Sequence, residues 1–113
     1  MWNNQGISDW IGYLSQFVAY AAVGTGTAPP TMSDSALSVP VTQKAIGGII
    51  IVGNLAVIDT LFIDSEANGA LTEWGLRDTS LLMIARDLFD STVNKTADYE
   101  MILSIAVTME NKV

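Results

Sequence analysis

From Tyr99 to Met109 the chain alternates. The odd positions are Tyr99, Met101, Leu103, Ile105, Val107 and Met109, and the even ones are Glu100, Ile102, Ser104, Ala106 and Thr108. A period of two puts one bulky apolar face opposite a thinner, mixed one, which is the signature of a half-buried strand. Such a strand needs a second layer to bury its heavy face. None of its residues has an evident chemical task, so the pattern speaks to architecture before activity.

Upstream, the chain breaks into short β-friendly runs separated by turn residues. TQKAIGGIIIV reads as one strand, with a bulge at Gly47-Gly48. Gly53-Asn54 fits a type II′ turn into LAVIDTLFID, and Asn68-Gly69 is a type I′ hairpin signal into LTEWGLRD. Asp78-Thr79-Ser80 turns the chain into LLMIARDLF, and DSTVNKTA, 90–97, is long enough to cross between sheets. The total is about six strands. The expected fold is all-β, an antiparallel, jelly-roll-like β-sandwich with a short N-terminal helix and an extended Pro/Gly arm. Residues 17–113 form the single β domain, and 1–16 form a helical docking segment.

That helix starts at Ser8, a capping residue, with Asp9 in its first turn. Ile7, Trp10, Ile11, Leu14, Phe17 and Val18 recur at helical spacing. The helix is brief, over about 8–16, with a strand over about 17–23, because the chain turns β-friendly before Gly24-Thr25-Gly26. From Gly24 to Pro40 the sequence GTGTAPPTMSDSALSVP is a loop, held extended by Pro29-Pro30. Its length exceeds most internal connections and marks an arm or a covering loop. Ser33-Asp34-Ser35 suits a short capped turn through Leu37.

Composition removes several chemistries. The chain has 113 residues and neither cysteine nor histidine. That excludes disulfides, Cys/His zinc sites, a cysteine nucleophile and a Ser-His-Asp triad. Five basic residues against twelve acidic ones give a net charge of −7. The basic residues, Lys44, Arg77, Arg86, Lys95 and Lys112, are scattered, which argues against a partner that is a nucleic acid. No apolar run reaches the ~20 residues of a membrane-spanning helix, so no membrane partner is expected. The N-terminus lacks the basic start of a secretory signal.

The remaining constellations are weak. Asp64-Ser65-Glu66-Ala67-Asn68-Gly69 offers oxygens at calcium-loop spacing, but Gly75 stands where the bidentate glutamate should be. An acidic turn without metal is the better reading. Gly24-Thr25-Gly26 runs into Pro29, and Gly47–Gly53 has no suitably placed lysine, so neither cradles phosphate. No cofactor is expected, and nothing pairs two carboxylates for acid/base work. Asn94-Lys95-Thr96 matches a glycosylation sequon that nothing else supports. Arg86 lies on the face of Leu82, Ile84 and Leu88, where a charge needs a partner. A structural ion pair with Glu73 or Asp87 is favoured over an intersubunit one.

Four segments in this order resemble small structural proteins of tailed bacteriophages: VGTGTAPPTMSDSAL, EANGALTEWGLRD, LLMIARDLF and VNKTADYEMILSIAVTM. The residues that carry the resemblance are Gly24–Leu37, Asn68–Leu76, Leu82–Arg86, and Lys95-Thr96 onward. The resemblance implies a non-enzymatic virion part, assembled in the host cytoplasm. A bare domain without a fibre shaft fits a capsid decoration, or cement, protein. The alternative is a tail, baseplate or fibre module that binds a partner protein or host carbohydrate through Trp74 and the loops. The implied partners are other copies of the chain, as in a homo-oligomer such as a trimer, and virion proteins such as the major capsid protein. Half of the residues are hydrophobic, which also favours association. The expected interface residues are Trp2, Trp10, Tyr13, Phe17, Pro29 and Pro30, as aromatic anchors and an arm.

Overall fold

The computed structural model describes residues 12–14 and 16–108. Among the described residues, seven antiparallel strands form two sheets. In chain order they are β1 (Val18–Gly24), β2 (Pro40–Ala45), β3 (Gly48–Val52), β4 (Leu55–Phe62), β5 (Gly69–Asp78), β6 (Met83–Lys95) and β7 (Met101–Thr108). One sheet has the order β2-β1-β5-β6 and the other β3-β4-β7. The chain therefore makes two strands in the first sheet, two in the second, two in the first, and the last in the second. It is an all-β sandwich, as the alternation requires.

The apolar layer between the sheets follows the period of two. From the three-stranded sheet, Ile58 and Phe62 of β4 and Leu103 and Ile105 of β7 point inward. From the four-stranded sheet, Ala21 and Val23 of β1 and Leu71 and Leu76 of β5 meet them. Within the sheets Ala21↔Leu76 sets a small side chain beside a large one, and Ile58↔Ile105 sets two large ones side by side. On β7, Met101 and Val107 complete the buried row while Ile102, Ser104, Ala106 and Thr108 face outward. The predicted row begins too early, because Tyr99 is exposed in the connection before β7. Met109 lies outside the described residues.

Several local readings shift. TQKAIGGIIIV is two strands in different sheets, and the glycines mark the point where the chain changes sheet. There Ile46 N–H donates to Ala19 O (3.0 Å) and Gly47 N–H to Asp59 O (2.7 Å), tying the switch to both sheets. Gly53-Asn54 is a two-residue hairpin turn between the paired Val52 and Leu55, with Gly53 at φ +59°. Asn68-Gly69 is no hairpin. β4 and β5 belong to different sheets, and residues 63–68 carry the chain between them. Left-handed backbone at Ala67 (φ 57°) and the φ of +146° at Gly69 make that corner. Strand β6 continues through Lys95, so the crossing predicted for 90–97 is made by 96–100. The turn after Asp78 is as expected, with the Asp78 carboxylate accepting from the N–H groups of Ser80 (2.8 Å) and Leu82 (2.9 Å).

Helical residues occur within 12–17, and Leu14 packs against the same core as β1. The described part of the 1–16 segment is thus attached to the domain. Trp2, Trp10 and the proposed cap at Ser8-Asp9 lie outside the described residues.

Candidate functional site

Glu73 is fully buried, at 0% exposure, on the outer face of β5. It stays charged there because the 25–39 loop folds over it and supplies donors. The N–H groups of Gly26 (2.7 Å), Ser38 (2.8 Å) and Val39 (2.8 Å) all donate to its carboxylate. Arg86, on the neighbouring strand, donates from Nη2 at 3.3 Å and from Nε at 3.4 Å. Burial pushes the Glu73 pKa up, but these backbone donors and Arg86 outweigh it and hold the group below its ordinary value.

Arg86 extends the cluster into the loop. Its Nη1 donates to Asp34 at 2.6 Å and to the Pro29 carbonyl at 3.3 Å, and Nη2 also reaches the Ala28 carbonyl. Asp34 in turn accepts from the N–H (2.7 Å) and hydroxyl (2.9 Å) of Thr31. Its pKa is lowered first by the Thr31 backbone bond and then by Arg86. Arg86 therefore pairs with Glu73, one of the two expected carboxylates, and more closely with Asp34, which the sequence reading did not name. The other, Asp87, accepts from Leu88 N–H instead (2.8 Å).

The glycines of this loop answer to the same carboxylate. A Cβ on Gly24 would lie 2.6 Å from Glu73 Oε2, and one on Gly26 would lie 2.4 Å from it. Gly75 has Leu37 above it, and a Cβ there would meet Leu37 Cδ2 at 3.2 Å and the Ala85 carbonyl at 3.1 Å. Leu37 is buried in consequence. The loop is thus a cover laid over its own sheet and pinned by charge. Of the two readings of 24–40, arm or covering loop, the structure has the covering loop: Pro29 and Pro30 are exposed, but the Ala28 and Pro29 carbonyls are fastened to Arg86.

A second polar staple holds the corner between the sheets. Lys95 is 3% exposed, and its ammonium donates to Asn68 Oδ1 (2.9 Å), Thr96 O (3.1 Å) and Asp64 O (3.3 Å). Glu66 accepts from Lys44 at 2.6 Å and from Ile63 N–H at 2.9 Å. The Lys44 bond is the first cause of its lowered pKa. Of the side-chain oxygens that suggested a calcium loop, Glu66 is therefore turned onto Lys44 and Asn68 onto Lys95. Among the described residues no three His, Cys, Asp or Glu side chains gather as metal ligands.

The other expected contact residues fall elsewhere. Tyr13 and Phe17 are exposed. Phe17 lines an open apolar cleft of about 520 Å³ at one end of the sandwich, with Leu14, Val18, Leu76 and Val107 among its walls. Trp74 is half-buried and packs against the core. Comparison of the chain with protein families, curated proteins and solved structures finds no match.

Sequence reasoning named Glu73 as one of two candidate partners of Arg86 but missed Asp34, the three backbone donors to Glu73 and the Lys95 staple. The available signals were a lone glutamate amid apolar strand residues, the Gly24/Gly26 spacing, and a lysine before a turn.

Proposed function

We propose that this chain is a non-enzymatic structural protein of a tailed-bacteriophage virion, foremost a capsid decoration protein that self-associates. The observation that carries the reading is where the motif residues converge. Gly24, Gly26, Asp34 and Leu37 from the first motif meet Glu73 and Gly75 from the second and Arg86 from the third. Asn68 meets Lys95 of the fourth. The residues behind the resemblance thus act as fasteners that hold a covering loop and a sheet corner. Charged groups spent on fastening suit a subunit whose work is to hold its shape under load.

The tail or fibre reading is less favoured, because Trp74 is half-buried against the core and presents only part of its ring. The test is copy number. Quantitative mass spectrometry of purified virions should find the chain in hundreds of copies, scaling with the major capsid protein. A few copies per particle would move it to the tail, and absence from virions would end the proposal.

A further inference from the structure

Asn68-Gly69 makes no hairpin, so the pair lacks the role that its sequence suggests. Gly69 is explained by its backbone, at φ +146°. Packing does not ask for a glycine there, since a Cβ would meet nothing nearer than Thr25 Cγ2 at 4.0 Å. Of the six asparagines in the chain, Asn68 alone precedes a glycine. That order of residues has a chemistry of its own. The backbone nitrogen after an asparagine can attack the side-chain carbonyl, and a following residue without a Cβ obstructs the attack least.

The structure both presents and polarises this carboxamide. Asn68 lies in the corner, outside any strand, and is exposed, as is Gly69, the first residue of β5. Its Oδ1 is 2.9 Å from Lys95 Nζ. An ammonium only donates, so the atom facing it is the carbonyl oxygen. Lys95 is itself buried and held in place by the carbonyls of Thr96 and Asp64. A fixed cation at this distance is placed to stabilise negative charge that develops on Oδ1.

We infer that Asn68-Gly69 is a site of self-modification, where Asn68 deamidates through a cyclic imide and Lys95 directs the ring to open to aspartate. In the first step the Gly69 nitrogen gives its proton to water and bonds to Asn68 Cγ, with the charge gathering on Oδ1 beside Lys95. The Cγ–Nδ2 bond then breaks, and Nδ2 takes up a proton and leaves as ammonia. In the second step water adds to one of the two ring carbonyls. Addition at Cγ breaks the new Cγ–N bond and restores the peptide, leaving aspartate. Addition at the main-chain carbonyl leaves isoaspartate, the main product in unstructured chains. One water is consumed, one ammonia is released, and nothing is oxidised or reduced. Lys95 polarises the Cγ carbonyl and not the main-chain one, so the folded chain favours aspartate. The new carboxylate stands beside a buried ammonium, and the corner staple passes from an ion–dipole bond to a charge-assisted one. The inference is independent of any virion role, since it concerns the purified chain alone.

The experiment follows freshly purified full-length chain near neutral pH over several weeks, folded and, in parallel, unfolded in urea. Peptide mapping by mass spectrometry reads the fraction converted at position 68 and separates aspartate from isoaspartate. The folded chain should convert at least as fast as the unfolded one, with aspartate in excess where the unfolded chain gives mainly isoaspartate. Lys95→Met, shown by thermal melting to be folded, should convert ~10-fold more slowly and revert to an isoaspartate excess. A merely structural lysine would leave that product ratio unmoved. If Lys95→Met does not fold, the comparison of folded with unfolded wild type decides. Asn68 persisting in the folded chain while the unfolded chain converts overturns the inference. So does an isoaspartate excess in the folded chain, or a folded Lys95→Met variant with wild-type rate and products.

Discussion

At the scale of single residues, Glu73 sets the terms for the loop above it. Three N–H groups and a guanidinium converge on one buried carboxylate, so each atom has a partner only while the charge is present. Glu73→Gln keeps the shape but replaces one acceptor oxygen with a donor. An amide nitrogen would then face loop N–H groups, and Arg86 would keep only Asp34 as a carboxylate partner. Breaking a buried pair from one side costs about 3–5 kcal/mol, and a drop of that size in chemical denaturation is the expected outcome. A loss under 1 kcal/mol would mean that the loop contributes little to the fold. Thr60 offers the reverse case. It is buried on the inner face of β4, and its Oγ1 has no hydrogen-bond partner among the described residues. A buried hydroxyl without a partner costs about 1–3 kcal/mol. Thr60→Val should therefore stabilise the chain by roughly 1 kcal/mol, read as a higher denaturation midpoint at unchanged slope. A destabilised Thr60→Val variant would mean that the hydroxyl has a partner after all.

At the scale of elements, the corner from β4 to β5 shows what turn chemistry can and cannot say. Asn68-Gly69 carries the strongest local hairpin signal in the chain, but the turn falls at Asp64-Ser65, closed by Glu66 N–H on the Ile63 carbonyl, and Gly69 already begins β5. Whether a turn joins neighbours in one sheet or carries the chain to another is decided by partners far away in sequence. Here Phe62 pairs with Met101 and Gly69 with Lys95, which places the strands on opposite sides of the sandwich. Gly47-Gly48 is the same lesson, since a bulge and a change of sheet ask the same freedom of the backbone. By contrast, the period of two in β7 and the Val52–Leu55 hairpin were legible because each depends on residues close in sequence. The Glu73 site was half legible. A charge on an apolar strand face announces that it needs a partner, but loop N–H donors leave no mark in side-chain identity. The corner also yields a test. Lys95 fills the place among the carbonyl oxygens that a cation would take. Calcium at millimolar concentration should leave the melting temperature unchanged. Lys95→Met should lower stability by about 1–3 kcal/mol, because several buried acceptors lose their donor at once. A calcium-dependent rise in the wild-type melting temperature would show that the loop opens to bind metal.

At the scale of the whole molecule, the fastenings make stability depend on pH in a direction that can be worked out. Glu73, Glu66 and Asp34 all have pKa values held below their ordinary values of 4.5, 4.5 and 3.8. A lowered carboxylate pKa means that the unfolded chain takes up protons first as pH falls. Stability from these groups is therefore fully present above the ordinary values and is lost as pH falls through them towards the folded ones. Net charge works the other way at first. The chain carries −7 at neutrality, and protonating exposed carboxylates relieves that repulsion as pH approaches the isoelectric point near 4.1. The melting temperature should thus stay level or rise slightly down to about pH 5, then fall steeply below the ordinary carboxylate range. The two contributions separate by mutation. Asp34 and Glu66 are more exposed than Glu73, and solvent screens their bonds, so Glu73 should supply most of the acid-sensitive part. Glu73→Gln should melt lower at neutral pH and lose less on going from pH 5 to pH 3. If its melting curve runs parallel to wild type across that interval, the acid sensitivity comes from general charge, and the buried carboxylate is not what ties loop to sheet.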